Sequence, residues 1–69
     1  MDGLEARLAL ANEHVAVGRL NIRRQRLVIR TMASEGQDTG SARSLLHSFL
    51  ETQRLLTADR DRLLTELLA

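Results

Sequence analysis

The chain has 69 residues, a formal net charge of +1 and no cysteine, which excludes disulfide staples and cysteine-based zinc sites. A domain this short buries a small core and usually needs disulfides, a metal ion or self-association for stability. The near-zero charge excludes a strong overall attraction to nucleic acid, and a hydrophobic content of 43% argues against disorder. Self-association is therefore the expected route to stability.

The composition predicts an all-α fold. Fourteen residues are leucine, Phe49 is the one aromatic residue, and proline is absent, which favours helices over strands. No run approaches the ~20 apolar residues of a membrane span. The first residues, "MDGLEARLALA", contain the acids Asp2 and Glu5 and lack the basic start of a secretory signal. We therefore expect a single cytoplasmic domain over residues 1–69.

The first predicted helix covers about 3–35. Its apolar residues recur in alternating steps of four and three, which is a heptad seam. The seam consists of Leu4, Leu8, Ala11, Val15, Gly18, Ile22, Gln25, Ile29 and Met32. Gly18 is unfavourable inside a helix, so it either allows a close approach of a neighbouring helix or breaks the segment and gives three helices. No turn residues flank it, which favours the unbroken helix.

A second apolar set lies largely opposite this seam on the helical wheel. Its members are Leu10, Val17, Leu20, Leu27 and Val28. A helix that is apolar on two sides is typically buried on two sides. These five residues are therefore the predicted interface of a homodimer, in which two hairpins form a four-helix bundle or an antiparallel coiled coil. The alternative is that they are ordinary exposed leucines and valines, which are common on protein surfaces.

Arginines form a stripe on the same helix. Residues 19–30, "RLNIRRQRLVIR", contain five arginines and no acid. Arg19, Arg23, Arg26 and Arg30 are spaced by four, three and four residues, so they share one side of the helix. The stripe could bind the phosphates of nucleic acid or an anionic membrane surface. It could also be a solvated face whose arginines meet the acids of a protein partner, and the lack of interleaved aromatic residues favours this reading.

The stretch "ASEGQDTGSAR" predicts a turn at about 36–39. Gly36 follows the last periodic residues, where a left-handed residue commonly ends a helix. Asp38 and Thr39 are expected to accept hydrogen bonds from the first amides of the next helix. So short a connection makes the two helices antiparallel. A phosphate-binding loop is not supported, because the stretch lacks the GxxxxGK[ST] order and a preceding strand.

The second predicted helix covers about 40–68 and has its own seam. The seam consists of Ala42, Leu46, Phe49, Gln53, Leu56, Arg60, Leu63 and Leu67. A chain that reverses at this turn, the corner of the hairpin, places residue i roughly opposite residue 75 minus i. Gly18 should then lie near Leu56. A leucine opposite Gly18 would explain the glycine by close helix approach.

Three polar residues interrupt the seams: Gln25, Gln53 and Arg60. Polar seam residues commonly fix register and oligomeric state, and this is their predicted role. Arg60 is expected to pair with Glu13 or with an acid of a second subunit, because its neighbours Asp59 and Asp61 should point away from it.

The sequence gives little support to catalysis or metal binding. No serine stands in a nucleophile motif. His14 and His47 fall near opposite ends of the hairpin and lack the i, i+4 histidine partner of a helical metal site. We expect no enzyme activity, no cofactor and no metal site.

Within roughly residues 12–66, the chain resembles a group of very small alphaproteobacterial proteins of unknown function. The most specific part is "GQDTGSARSLLHSF", which resembles a G-x-D-T-x-x-A-x-x-L-L-x-x-F pattern at the hairpin; Gly40 departs from the helix former expected there. The remaining shared residues are His14, Val15, Gly18, Arg24, Gln25, Thr52, Arg60 and Leu63. The resemblance implies a bacterial helical hairpin and carries no known activity.

These observations predict a non-catalytic interaction or regulatory module that acts through a helical surface. Its expected partner is a second copy of itself, and a second protein is also compatible. The alternative function is a nucleic-acid-binding regulator that uses the arginine stripe on phosphates.

Overall fold

The computed structural model describes residues 3–69 and contains two helices joined by a short turn. Helix α1 spans Gly3–Ser34 and helix α2 spans Gly40–Leu68. The two helices pack against each other along their length, and this confirms the predicted all-α helical hairpin. Helix α1 continues through Gly18, so the three-helix alternative was wrong. Asp2, cited above as an acid of the N-terminus, lies outside the described residues.

The contact between the helices follows the two heptad seams. All nine seam positions of α1 and all eight of α2 are buried or half-buried. Among residues 3–69, the buried apolar side chains are Ala11, Val15, Ile22, Ile29 and Leu63. Because steps of four and three keep one side of a helix facing its partner, the apolar spacing alone accounts for which sides meet.

The C-terminus of α1 is closed by Gly36 in the left-handed conformation, with φ of 73°. The Gly36 amide donates to the Ala33 carbonyl at 3.1 Å, and the Gln37 amide donates to the Met32 carbonyl at 2.9 Å. This pair of bonds is the Schellman motif, which satisfies carbonyls that the helix end would leave free. The predicted helix-ending role of Gly36 is confirmed.

The start of α2 differs in part from the prediction. The Gly40 amide donates to Asp38 Oδ1 at 2.9 Å, as expected. Thr39 occupies the N-cap position but makes no capping bond, and its hydroxyl accepts from Arg43 Nε at 2.9 Å. The reason is the backbone of Thr39, whose φ of −97° and ψ of 5° differ from the extended conformation that aims an N-cap oxygen at the helix amides.

The hairpin is a rod of 51 × 17 × 13 Å with a radius of gyration of 15.9 Å. A compact domain of this length would have a radius of gyration of about 11 Å. The accessible surface is 5113 Å², whereas a folded monomer of this mass typically exposes roughly 4,300 Å². The isolated hairpin therefore leaves more surface in water than a typical monomer does. Within residues 3–69, neither helix has a stretch apolar enough to cross a membrane.

Candidate interaction surfaces

Two glutamines link the helices, Gln53 near the middle of the hairpin and Gln25 nearer the turn. Gln25 Nε2 donates to the Ala42 carbonyl at 2.9 Å, and Gln53 Nε2 donates to the Val15 carbonyl at 2.9 Å. A helical carbonyl has a second lone pair, so each can accept a side-chain bond beside its backbone bond. The two bonds run in opposite directions, one from each helix, and both resist sliding of one helix along the other.

Gly18 makes room for Gln53, where the sequence analysis placed Leu56. A Cβ built on Gly18 would overlap Gln53 Oε1 and would lie 2.8 Å from Gln53 Cδ. The correction arises because the glutamine side chain must extend to the α1 backbone to reach the Val15 carbonyl. Leu56 lies nearby and lines the same groove as Gly18.

The buried side-chain amide of Gln53 also lowers the stability of the hairpin, and this can be tested. Its Oε1 is buried and has no hydrogen-bond partner among the described residues, a situation that costs about 1–3 kcal/mol. Methionine has similar length and no buried amide. We expect Gln53→Met to raise the free energy of unfolding by about 1 kcal/mol, because removing the unpaired oxygen outweighs the ~1 kcal/mol of the lost bond.

The control for this prediction is Gln25→Met. It removes the same kind of bond, but no buried unpaired oxygen is found at Gln25. Urea unfolding of the two variants at matched protein concentration should therefore move the midpoint up for Gln53→Met and leave it unchanged or lower for Gln25→Met. A lower midpoint for both variants would contradict this account of Gln53.

Arg60 pairs locally, which corrects the prediction for its neighbours. Arg60 Nε donates to Asp61 Oδ1 at 2.7 Å, although Asp61 was expected to point away. The long arginine side chain covers the seam with its stem and bends its head outward, where the exposed carboxylate of the next residue is within reach. Asp59 bonds to Arg62 at 2.6 Å. The expected pair with Glu13 within the chain does not form.

The four arginines of the stripe lie along one groove of about 540 Å³, which we call the basic flank. The other residues of this groove are Ile22, Leu27 and Leu50, so its floor is apolar and it contains no acid. The ion pairs found within residues 3–69 join Arg60 to Asp61 and Arg62 to Asp59, and His47 lies beside Glu51. The stripe arginines are therefore unpaired within the described chain and can meet carboxylates or phosphates from outside.

The opposite side of the hairpin has a second groove, of about 360 Å³, which we call the apolar flank. Its lining is His14, Val17, Gly18, Asn21, Phe49, Thr52, Gln53 and Leu56. This groove was not predicted from the sequence, because it exists only where the missing side chain of Gly18 meets the neighbouring residues of α2. The signal that was available is the glycine itself, which left a gap in an otherwise continuous seam.

The structure places the five predicted interface residues in two groups, and all five are exposed. Val17 lines the apolar flank, Leu10 lies beside it with His14, and Val28 follows Asn21 by two full turns on that side. Leu27 lies with the arginines on the basic flank, and Leu20 precedes it by two turns on the outer side of α1. The predicted interface is therefore not one continuous patch.

Within the described part of the chain, the histidines lie apart from any cluster of acids. His14 lies on the apolar flank, and His47 Nε2 lies 3.7 Å from Glu51 Oε1 on the exposed side of α2. Among residues 3–69, no group of three or more histidine, cysteine or acidic side chains is placed to hold a metal ion.

Comparison of the chain with protein-family models, with curated proteins and with solved structures finds no match.

Proposed function

We propose that this chain is a non-catalytic interaction module that associates with a second copy of itself. The observation that supports this is the balance between buried and exposed apolar side chains. Within residues 3–69, five apolar side chains are buried, whereas ten large ones are at least 36% exposed. The exposed ten are Leu10, Val17, Leu20, Leu27, Val28, Leu45, Leu50, Leu55, Leu64 and Leu68. A solvated monomer gains nothing from these residues, whereas a partner helix can cover them.

The magnitudes favour a weak dimer. Burying the exposed half of a leucine or valine is worth about 1 kcal/mol, so the two or three such residues of each chain that lie on one side of the rod supply roughly 4–6 kcal/mol to a dimer. Association costs about 4–15 kcal/mol. Since the gain from one side only reaches the lower end of this cost, the dimer is expected to be weak, and charged residues around the apolar contacts help to determine its geometry.

Sedimentation equilibrium of the purified chain, with and without a labelled DNA duplex, tests this function. We expect a concentration-dependent monomer–dimer equilibrium that the duplex does not change. A single species of monomer mass at every concentration would overturn the proposal of self-association.

The unpaired stripe of Arg19, Arg23, Arg26 and Arg30 supports one further candidate, a regulator that binds nucleic-acid phosphates. In that case a DNA complex should form at low salt, and the logarithm of its association constant should fall with a slope of about −0.9 per phosphate contact against log salt. Replacing all four arginines with alanine should abolish the complex. A complex that survives this replacement would rule out the stripe as the binding site.

A further inference from the structure

We propose that two copies associate side by side in antiparallel orientation, so that the head of each lies next to the tail of the other, through a self-complementary row on the outer side of α1. The row consists of Ala9, Glu13, Ala16, Leu20, Arg23 and Leu27. This inference rests on the proposed self-association and specifies the surface and the direction of the partner.

The row is a second heptad seam on α1. Its steps are four, three, four, three and four, so its six residues lie on one line along the helix. All six are exposed. The a and d positions of the first seam contact α2, and the row occupies the b and f positions, which point nearly opposite. Its length is about 27 Å at 1.5 Å per residue, and its residues stay exposed although α2 packs against the other side of α1.

The row complements itself when a second α1 runs in the opposite direction. If the twofold axis passes at residue 18, residue i of one copy faces residue 36 minus i of the other. Leu27 then faces Ala9, and Leu20 faces Ala16, so each large side chain meets a small one. Arg23 faces Glu13 in the same register. The three pairings occur twice each, which is what an isologous twofold interface requires.

The charges along the rod favour the same direction. In the half next to the corner, residues 19–54 contain seven arginines and three acids, a net charge of +4. In the remaining described residues, 3–18 and 55–69, three arginines oppose five acids, a net charge of −2. Head-to-tail packing places unlike halves together, whereas parallel packing places like halves together. Complementary charge of this kind determines orientation more than it determines affinity.

The unpaired charges of Glu13 and Arg23 support the antiparallel direction. Neither Glu13 nor Arg23 has an ion-pair partner within residues 3–69, and the ion pairs found there are all between neighbours on one helix. The ten-residue separation of Glu13 and Arg23 along α1, about 15 Å, prevents them from meeting in one chain. In parallel packing, Arg23 would face Arg23 and Glu13 would face Glu13. A second copy in antiparallel orientation places an opposite charge next to each of these two residues.

Exchanging the charges at residues 13 and 23 tests whether the two α1 helices of the dimer run antiparallel. We expect Glu13→Arg and Arg23→Glu each to weaken the dimer roughly tenfold at low salt, because each creates two like-charge contacts. The double variant E13R/R23E restores both pairs and should return the dissociation constant to within about threefold of the original. Arginine and glutamate have similar helix propensity, so circular dichroism should show unchanged helicity in all three variants.

The matched control is Arg24→Glu, which makes the same charge change one residue away from the row. Arg24 is exposed and lies on neither the row nor the basic flank. The dissociation constant of the Arg24→Glu dimer should therefore be nearly unchanged. In a parallel dimer, each residue faces its own copy, so reversing the charge of Glu13 or Arg23 leaves two like charges in contact. Unchanged dissociation constants for both single variants would therefore overturn the head-to-tail arrangement.

A distance measurement separates failure of this inference from failure of the proposed function. Since the chain has no cysteine, Gln37→Cys provides one spin-label site at the exposed corner. Head-to-tail packing places the two corners roughly 55 Å apart, whereas parallel packing places them within about 25 Å. A dimer with a short distance would overturn the arrangement alone. A monomer at all concentrations would overturn self-association as well.

Discussion

Replacing Leu63 with alanine is expected to lower the free energy of unfolding by about 2–5 kcal/mol. Leu63 is 3% exposed and is the one buried residue of α2 among the described residues. Its side chain fills the space between the helices near the open end of the hairpin, where Ala11 is too small to close the cavity left behind. A chain of this length has a total stability of roughly 3–10 kcal/mol, so the variant should lose a large part of its folded population at 37 °C.

Leu55→Ala is the matched control, because it is the same change on the same helix at a side chain that is 72% exposed. It should alter the free energy of unfolding by no more than about 0.5 kcal/mol. Both variants should be compared by urea unfolding at several protein concentrations, since self-association shifts the midpoint. Equal losses for the two variants would contradict the hairpin contact described above.

The sequence was sufficient to predict the packed sides of both helices, because seam spacing depends on helix periodicity and not on side-chain conformation. The corner was predictable for a similar reason: Gly36 occupies a backbone conformation that other residues rarely adopt. Such features are properties of the backbone. They follow from residue type and spacing before any tertiary contact is known.

The polar contacts could not be predicted in the same way. Gln53 bonds to the Val15 carbonyl, and Arg60 bonds to the adjacent Asp61. Both choices depend on which rotamer places a long side chain near an acceptor, and several rotamers of glutamine and arginine have similar energies. The sequence indicates that such residues need partners. Identifying the partner requires the positions of the neighbouring backbone and carboxylates.

The residues of the candidate surfaces were predicted, but the grooves that they form and their positions around the rod were not. A helical wheel places Leu10, Val17, Leu20 and Leu27 away from the first seam, yet only the position of α2 shows that they belong to two sides of the rod. The apolar flank likewise depends on two helices meeting at Gly18. The charge polarity of the rod was present in the sequence from the start. It becomes apparent once the corner brings residues 19–54 together.

The double variant Leu20→Glu/Leu27→Glu is expected to convert the dimer to a monomer at concentrations where the original chain is mostly dimeric. In the antiparallel row, these two leucines take part in all four apolar pairings, worth about 1 kcal/mol each. The four new carboxylates would face alanines and be partly desolvated, which adds a further cost. Together these effects should raise the dissociation constant at least a hundredfold, measurable by sedimentation equilibrium.

The control for this last prediction is Leu10→Glu/Val17→Glu, on the apolar flank. These residues are 52% and 56% exposed, compared with 40% and 52% for Leu20 and Leu27, so the control adds the same charge at similar solvent exposure. If the row is the interface, the control remains a dimer, because the apolar flank stays in water. If both variants are monomers, the interface extends around α1 as a four-helix bundle would require. If only the control is a monomer, the partner lies on the apolar flank and the row is solvent-exposed.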